Sequence, residues 1–131
     1  MKINLIEYFV EIVRRFPKRN AITDGERKVS FADLDVLARR TAGVIIEAVS
    51  FKNRPVAVFM PKCVEALQSD LAITYSGNAY MNLDVKNPAE RLGNIFALIK
   101  PAAVITNERF KGIIDPIAVA NNAVVINVEE I

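Results

Sequence analysis

Four short apolar runs, at 55–60, 79–83, 102–106 and 123–127, punctuate the second half of the chain, and helical periodicity fills the gaps between them. Runs of this length, rich in valine and isoleucine and apolar at successive positions, suit strands buried on both faces of a parallel sheet. Parallel neighbours need crossover connections, and the intervening segments have helical length and spacing. This alternation implies an α/β domain: a parallel sheet with helices on both faces and right-handed crossovers.

The first 50 residues add two further elements. Leu5, Phe9, Ile12, Val13 and Phe16 fall at helical spacing, which predicts a helix with one buried stripe, stopped by Pro17. Asp24-Gly25 between two extended segments predicts a hairpin with strands at about 20–23 and 26–29, since a tight turn needs positive φ. Ser30 and Asp33 fit a capping box opening a helix to about residue 48, with Phe31, Leu34, Ala38, Thr41, Ala42, Ile45 and Val49 on its stripe. Residues 52–54 form the loop after it.

The stretch "SGNAYMNLDVKNPAERL" at 76–92 carries dense punctuation. Gly77 is expected to release the helix at 63–75 through a left-handed residue. The run 79–83 follows as a buried strand, ended by Asp84. Asn87 is expected to cap the next helix, with Pro88 at its first position and Glu90 in its first turn. Leu92, Ile95, Phe96 and Ile99 form the core face of that helix, and Pro101 stops it. Residues 108–120 predict a short helix broken near Pro116. Residues 1–131 are thus expected to form a single α/β domain.

Composition narrows the function classes. Seventeen basic and fifteen acidic residues are interspersed, giving a net charge of +2 without the clustered footprint that nucleic acid or an anionic membrane requires. Arg14-Arg15 and Arg39-Arg40 therefore suit solvated helix faces. No apolar run approaches the roughly 18 residues of a membrane span, and charges at Glu7, Glu11, Arg14 and Arg15 interrupt any signal-peptide core. A soluble, cytoplasmic protein is expected. The apolar fraction of 52% is rich for one domain, and uncovered edges and faces predict dimers or larger species.

The chain contains one cysteine and no histidine, so a disulfide framework and a Ser-His-Asp arrangement are both excluded. Cys63 lacks an imidazole to activate it and suits a small apolar position near a helix start. The five glycines are dispersed, and neither a dinucleotide fingerprint nor a P-loop is present. Lys62 stands at a strand-to-helix turn, on the edge where ligands bind in doubly wound sheets, but suits an exposed loop lysine. Glu129-Glu130 point apart as neighbours and suit a solvated tail. From the residues alone, no catalytic, cofactor-binding or metal-binding residue is assigned.

The segment at 75–92 resembles a motif of the adenylate-forming enzymes. These comprise acyl-CoA synthetases, luciferases, the amino-acid-activating domains of nonribosomal peptide synthetases, and D-alanine–carrier-protein ligases. Gly77, Ala79, Tyr80, Leu83, Asp84, Pro88, Glu90, Arg91 and Leu92 match. "AITDGERKVSFADLDVLARRTAG" at 21–43, "RPVAVFMPKCVEAL" at 54–67 and "IKPAAVITNE" at 99–108 are similar to the family's segments in the same order. The match runs from about residue 5 and, through the "AYMNLD…NPAERL" wording, leans toward the amino-acid-activating and D-alanine-ligase branch. Asn82 stands where the family often has proline, Asn78 where it often has a small residue, and Ser76 in place of a common alanine.

The resemblance implies a parent ligase that joins a carboxylate to AMP and passes the acyl group to a thiol, of CoA or of a carrier protein's phosphopantetheine. ATP and magnesium would be its cofactors. The family's phosphate loop, nucleotide-binding residues, magnesium-binding glutamate and catalytic lysine all come later than the segments matched here. The chain is thus expected to be an N-terminal portion cut after the run at 123–127, inactive alone, its matched residues working as scaffold, with Tyr80 as buried packing. The alternative is a stand-alone flavodoxin-like binding or interaction module without catalysis.

Overall fold

A computed structural model describes residues 5–50 and 53–131. Lys52 of the predicted loop lies outside them. The chain runs α1 (Leu5–Arg15), β1 (Asn20–Asp24), β2 (Arg27–Ser30), α2 (Phe31–Ala48), β3 (Pro55–Phe59), α3 (Val64–Tyr75), β4 (Ala79–Leu83), α4 (Ala89–Ile99), β5 (Ala103–Thr106), α5 (Glu108–Ala120) and β6 (Val124–Asn127), closed by a 3-10 turn (Val128–Glu130). Strands β1 and β2 form the antiparallel hairpin. Strands β3 to β6 form one parallel sheet in the order β4-β3-β5-β6.

The alternation of side chains along β3 divides the core. Val56 and Val58 face Ala42, Ile45, Ala72 and Ile73 of α2 and α3. Ala57 and Phe59 face Leu92 and Phe96 of α4 with Ile114 and Ala118 of α5. A third cluster joins Phe9 of α1 and Val29 of the hairpin to Leu34, Ala38, Val64 and Leu71. The helices on both faces follow from strands that are apolar on both sides.

Several local expectations hold. The Asp33 amide donates to Ser30 Oγ (3.1 Å), capping α2. Gly77 has φ +83°. Its amide donates to the Thr74 carbonyl and that of Asn78 to the Ile73 carbonyl, both at 3.1 Å, the paired bonds that close a helix through a left-handed residue. Asp84 ends β4 by accepting at Oδ1 from the Lys86 amide (2.9 Å).

Others are corrected. The hairpin turns on Gly25 and Glu26, because Asp24 pairs with Arg27. Strand β4 is an edge of the sheet rather than a buried strand, so Tyr80 is 43% exposed instead of packed. The N-cap of α4 is Pro88, with no side-chain cap, rather than Asn87. Ile99 lies at the exposed end of that helix. Helix α5 runs unbroken through Pro116. An interior proline costs about 3 kcal/mol, which the burial of Ile114 and Ala118 on either side offsets. On α1 only Phe9 is buried; Leu5, Ile12 and Phe16 remain exposed.

Candidate functional site

Strand β3 leads into α3 on one face of the sheet, while its neighbour β4 leads into α4 on the other. Their connections diverge at the carboxyl ends of the strands, which opens a crevice. A cleft of about 710 Å³ occupies this place. Its apolar wall comes from Met60 and Pro61 after β3, Ala66 and Leu67 on α3, Leu83 and Val85 around the end of β4, and Ile22 of the hairpin. Lys62, Cys63, Asp70, Asn82, Asp84 and Lys86 supply its polar groups.

The hairpin braces one side of the cleft. Cys63, the N-cap of α3, makes no side-chain capping bond. Instead the Val64 amide donates to Asp24 Oδ2 (3.3 Å). Arg27 forms an ion pair with Glu65 in the first turn of α3. Burial acts to raise the Glu65 carboxyl, but the hydrogen bond and charge of Arg27 outweigh it and hold the carboxyl below the usual range.

On the opposite wall, Asn82 Nδ2 donates to Asp70 Oδ2 (3.2 Å), tying edge strand β4 to α3. The second oxygen, Asp70 Oδ1, is buried without a partner. Burial pushes the Asp70 carboxyl up, and the Asn82 hydrogen bond offsets only part of that. Burial also pushes the Cys63 thiol up, against thiolate formation.

This donor set does not fit a nucleoside triphosphate with its metal. The two cleft lysines share their space with Asp70 and Asp84, and the wall is largely apolar. Among the described residues, no group of three or more histidine, cysteine, aspartate and glutamate side chains is placed to hold a metal ion. The cleft can hold an apolar group beside a few polar contacts. No helix among the described residues is long and apolar enough to cross a membrane.

The residues singled out in the sequence are thereby placed. Lys62 is an exposed rim residue and Cys63 a helix cap, both on the cleft. Arg14, Arg15, Arg39 and Arg40 are exposed on their helices. Arg39 pairs with Asp35 (3.0 Å) and lies 4.6 Å over the Tyr75 ring. Glu129 does more than face solvent: its Oε2 accepts from the Glu108 amide (2.9 Å) at the start of α5. Asp70, Asn82 and Asp24 escaped sequence reasoning. The available signal was Asn82 at a position where proline is usual, because a side-chain amide there can reach across to α3.

The family model described as AMP-binding enzyme matches residues 9–130. Syringomycin synthase SyrB1 of Pseudomonas syringae pv. syringae is 34% identical over 92 residues, which is 70% of this chain and 15% of that protein. The D-alanine–D-alanyl carrier protein ligase of Streptococcus equi subsp. equi (strain 4047) is 31% identical over 121 residues, 92% of this chain and 23% of that ligase. Among solved structures, ATP-bound MatB from Rhodopseudomonas palustris superposes with a TM-score of 0.83 at 27% identity, over 95% of this chain and 25% of that one. The chain therefore spans a quarter or less of the length of each of these proteins.

Proposed function

The chain belongs to the family of AMP-binding enzymes, and on that premise we propose that it forms the amino-terminal α/β layer of an ATP-dependent ligase. That ligase activates a carboxylate as acyl-AMP before passing the acyl group to a thiol. The observation that carries the reading is the family match over 9–130, together with a sheet whose edge strand is built from the "SGNAYMNLD" segment. The similarity to a carrier protein ligase and to a syringomycin synthase favours an amino acid as substrate and a carrier protein's phosphopantetheine, rather than CoA, as the thiol.

In this reading the residues described here shape the layer and do not touch the reacting atoms. Gly77 reverses the chain into β4, Asp84 closes that strand, and the hairpin fixes the start of α3. Stabilising the charge that develops as pyrophosphate leaves requires preorganised donors, and the cleft, with carboxylates beside its lysines, is not arranged to supply them. ATP and magnesium would be held by other parts of the ligase. The chain by itself is then inactive, and its place is the cytoplasm.

ATP–pyrophosphate exchange tests this. The chain alone, offered a panel of amino and fatty acids, should give no exchange above background. Residues 9–130 grafted in place of the matching segment of the S. equi ligase should leave D-alanine-dependent exchange within about a hundredfold, or 2.7 kcal/mol, of that enzyme. Exchange by the chain alone, or a folded graft without activity, would overturn the proposal. A reading frame that continues past Ile131 into a Ser/Thr/Gly-rich loop containing lysine would support it, whereas a natural product ending there would favour the stand-alone binding module.

A further inference from the structure

Helices α4 and α5 cover one face of the sheet through Leu92, Phe96, Ile114 and Ala118. Their outer side is apolar as well. After the first turn of α5 its exposed residues are Gly112, Ile113, Pro116, Val119 and Ala120. At the α-helical rotation per residue these five fill a sector of about 120° without a charge. Lys111 and Asp115 pair with each other beside that sector (2.7 Å). After the first turn of α4 the exposed residues are Asn94, Ala97, Leu98 and Ile99, again uncharged. A hollow of about 480 Å³ lined by both Ala97 and Ala120 joins the two surfaces; Arg54 and Lys100 line it from the amino ends of β3 and β5. The opposite side of the molecule differs. Helix α2 packs on the other face of the sheet and exposes Val36 and Ile46, but sets Asp33, Arg39, Arg40 and Glu47 among them. One helical layer is thus patterned to meet water and the other is not.

We propose that the outer face of α4 and α5 is covered by a further apolar layer, contributed by the remaining residues of the ligase. The inference rests on the reading of this chain as one layer of a longer enzyme. The carrier protein ligase matches 92% of the chain and MatB 95%, yet the chain spans 23% and 25% of those proteins. Most of each relative therefore lies outside this layer, and a contiguous exposed apolar surface marks where a neighbour packs. The small side chains of Ala97, Gly112 and Ala120 let that neighbour approach closely, because the residues at the contact set how near two elements come. A Cβ added at Gly112 meets open space. A second copy of the chain is the weaker occupant. Residues joined in one chain meet this face at an effective concentration of about a millimolar, which a free copy does not reach.

Thermal melts of the chain alone and of the S. equi ligase carrying residues 9–130 test the covering. Leu98→Lys and Val119→Lys each place a cation in the last turn of a helix, where the helix dipole favours it. In the chain alone, where these positions are 81% and 73% exposed, each should leave the melting temperature within about 2 °C of wild type. In the graft each should lower it by at least about 5 °C, because the charge is then buried without a partner. Ile46→Lys, in the last turn of α2, should shift neither by more than about 2 °C. Lysines at 98 and 119 as harmless in the graft as the one at 46 overturn the proposal, while D-alanine-dependent exchange by that same graft still supports the reading on which it rests. Where a lysine graft does not fold, Val119→Thr repeats the comparison with a milder change: a loss in the graft no larger than in the chain alone overturns the proposal. A dimer of the chain alone in sedimentation velocity that Val119→Lys dissociates, with the graft unaffected, assigns the face to a second copy and also overturns it.

Discussion

Asp70 lies on α3 between buried Ser69 and Leu71, with one oxygen bonded by Asn82 and the other buried without a partner. Burial holds its carboxyl above the ordinary aspartate value. An acid whose pKa is raised in the folded state binds its proton more tightly there than in the unfolded chain. Its stabilising contribution is therefore fully present below the unfolded pKa and is lost as pH rises through the folded one. Above the unfolded pKa the raised carboxyl thus works against the fold. Asp70→Asn should raise the melting temperature at pH 7, by a few degrees at most because the side chain is partly solvated. It should also flatten the decline in stability as pH rises out of the acid range. A melting temperature that falls on substitution, at pH 7 but not at acid pH, would show that the charge is favourably held. The position gave little warning in the sequence: an aspartate in "LQSDLAITY" is compatible with a solvated helix face, and only the packing of β4 against α3 covers it.

At the scale of elements, the hairpin and α3 act together. Cys63 supplies no side-chain cap, so the start of α3 relies on Asp24 from forty residues earlier. Asp24→Ala should cost about 0.5–2 kcal/mol in urea denaturation. Cys63→Ser, which can supply a local cap, should lessen that loss when combined with it; additive effects of the two substitutions would show that Asp24 does not act through the helix start. The hairpin, the capping of α2 and the release at Gly77 were legible because each is local chemistry. A positive-φ glycine or a serine hydroxyl near the third helical amide needs no distant partner. Asn87 and Pro116 misled for the same reason turned around. Propensity favoured a cap at one and a break at the other, while the turn held by Asp84 and the packing of α5 decided otherwise.

For the whole molecule, the central position of β3 governs stability. Phe59 is fully buried and meets Phe110 edge-on at 6.1 Å between ring centres. Phe59→Ala should cost about 3–5 kcal/mol, a large share of the 5–15 kcal/mol typical of a domain. Leu98, 81% exposed on α4, should tolerate alanine within about 0.5 kcal/mol. Equal losses at the two positions would contradict the layer arrangement. The sequence by itself determined the types of the helices and strands, most of their boundaries to within about a residue, the parallel α/β class and the family, since strand and helix periods and turn residues are properties of neighbouring positions. Only the tertiary structure decided that β4 is an edge strand, that Tyr80 and one stripe of α1 face outward, and that Asp70 meets Asn82 in the cleft. Strand order and helix placement arise from contacts between residues far apart in the chain, and periodicity carries no record of which strand a neighbour will be.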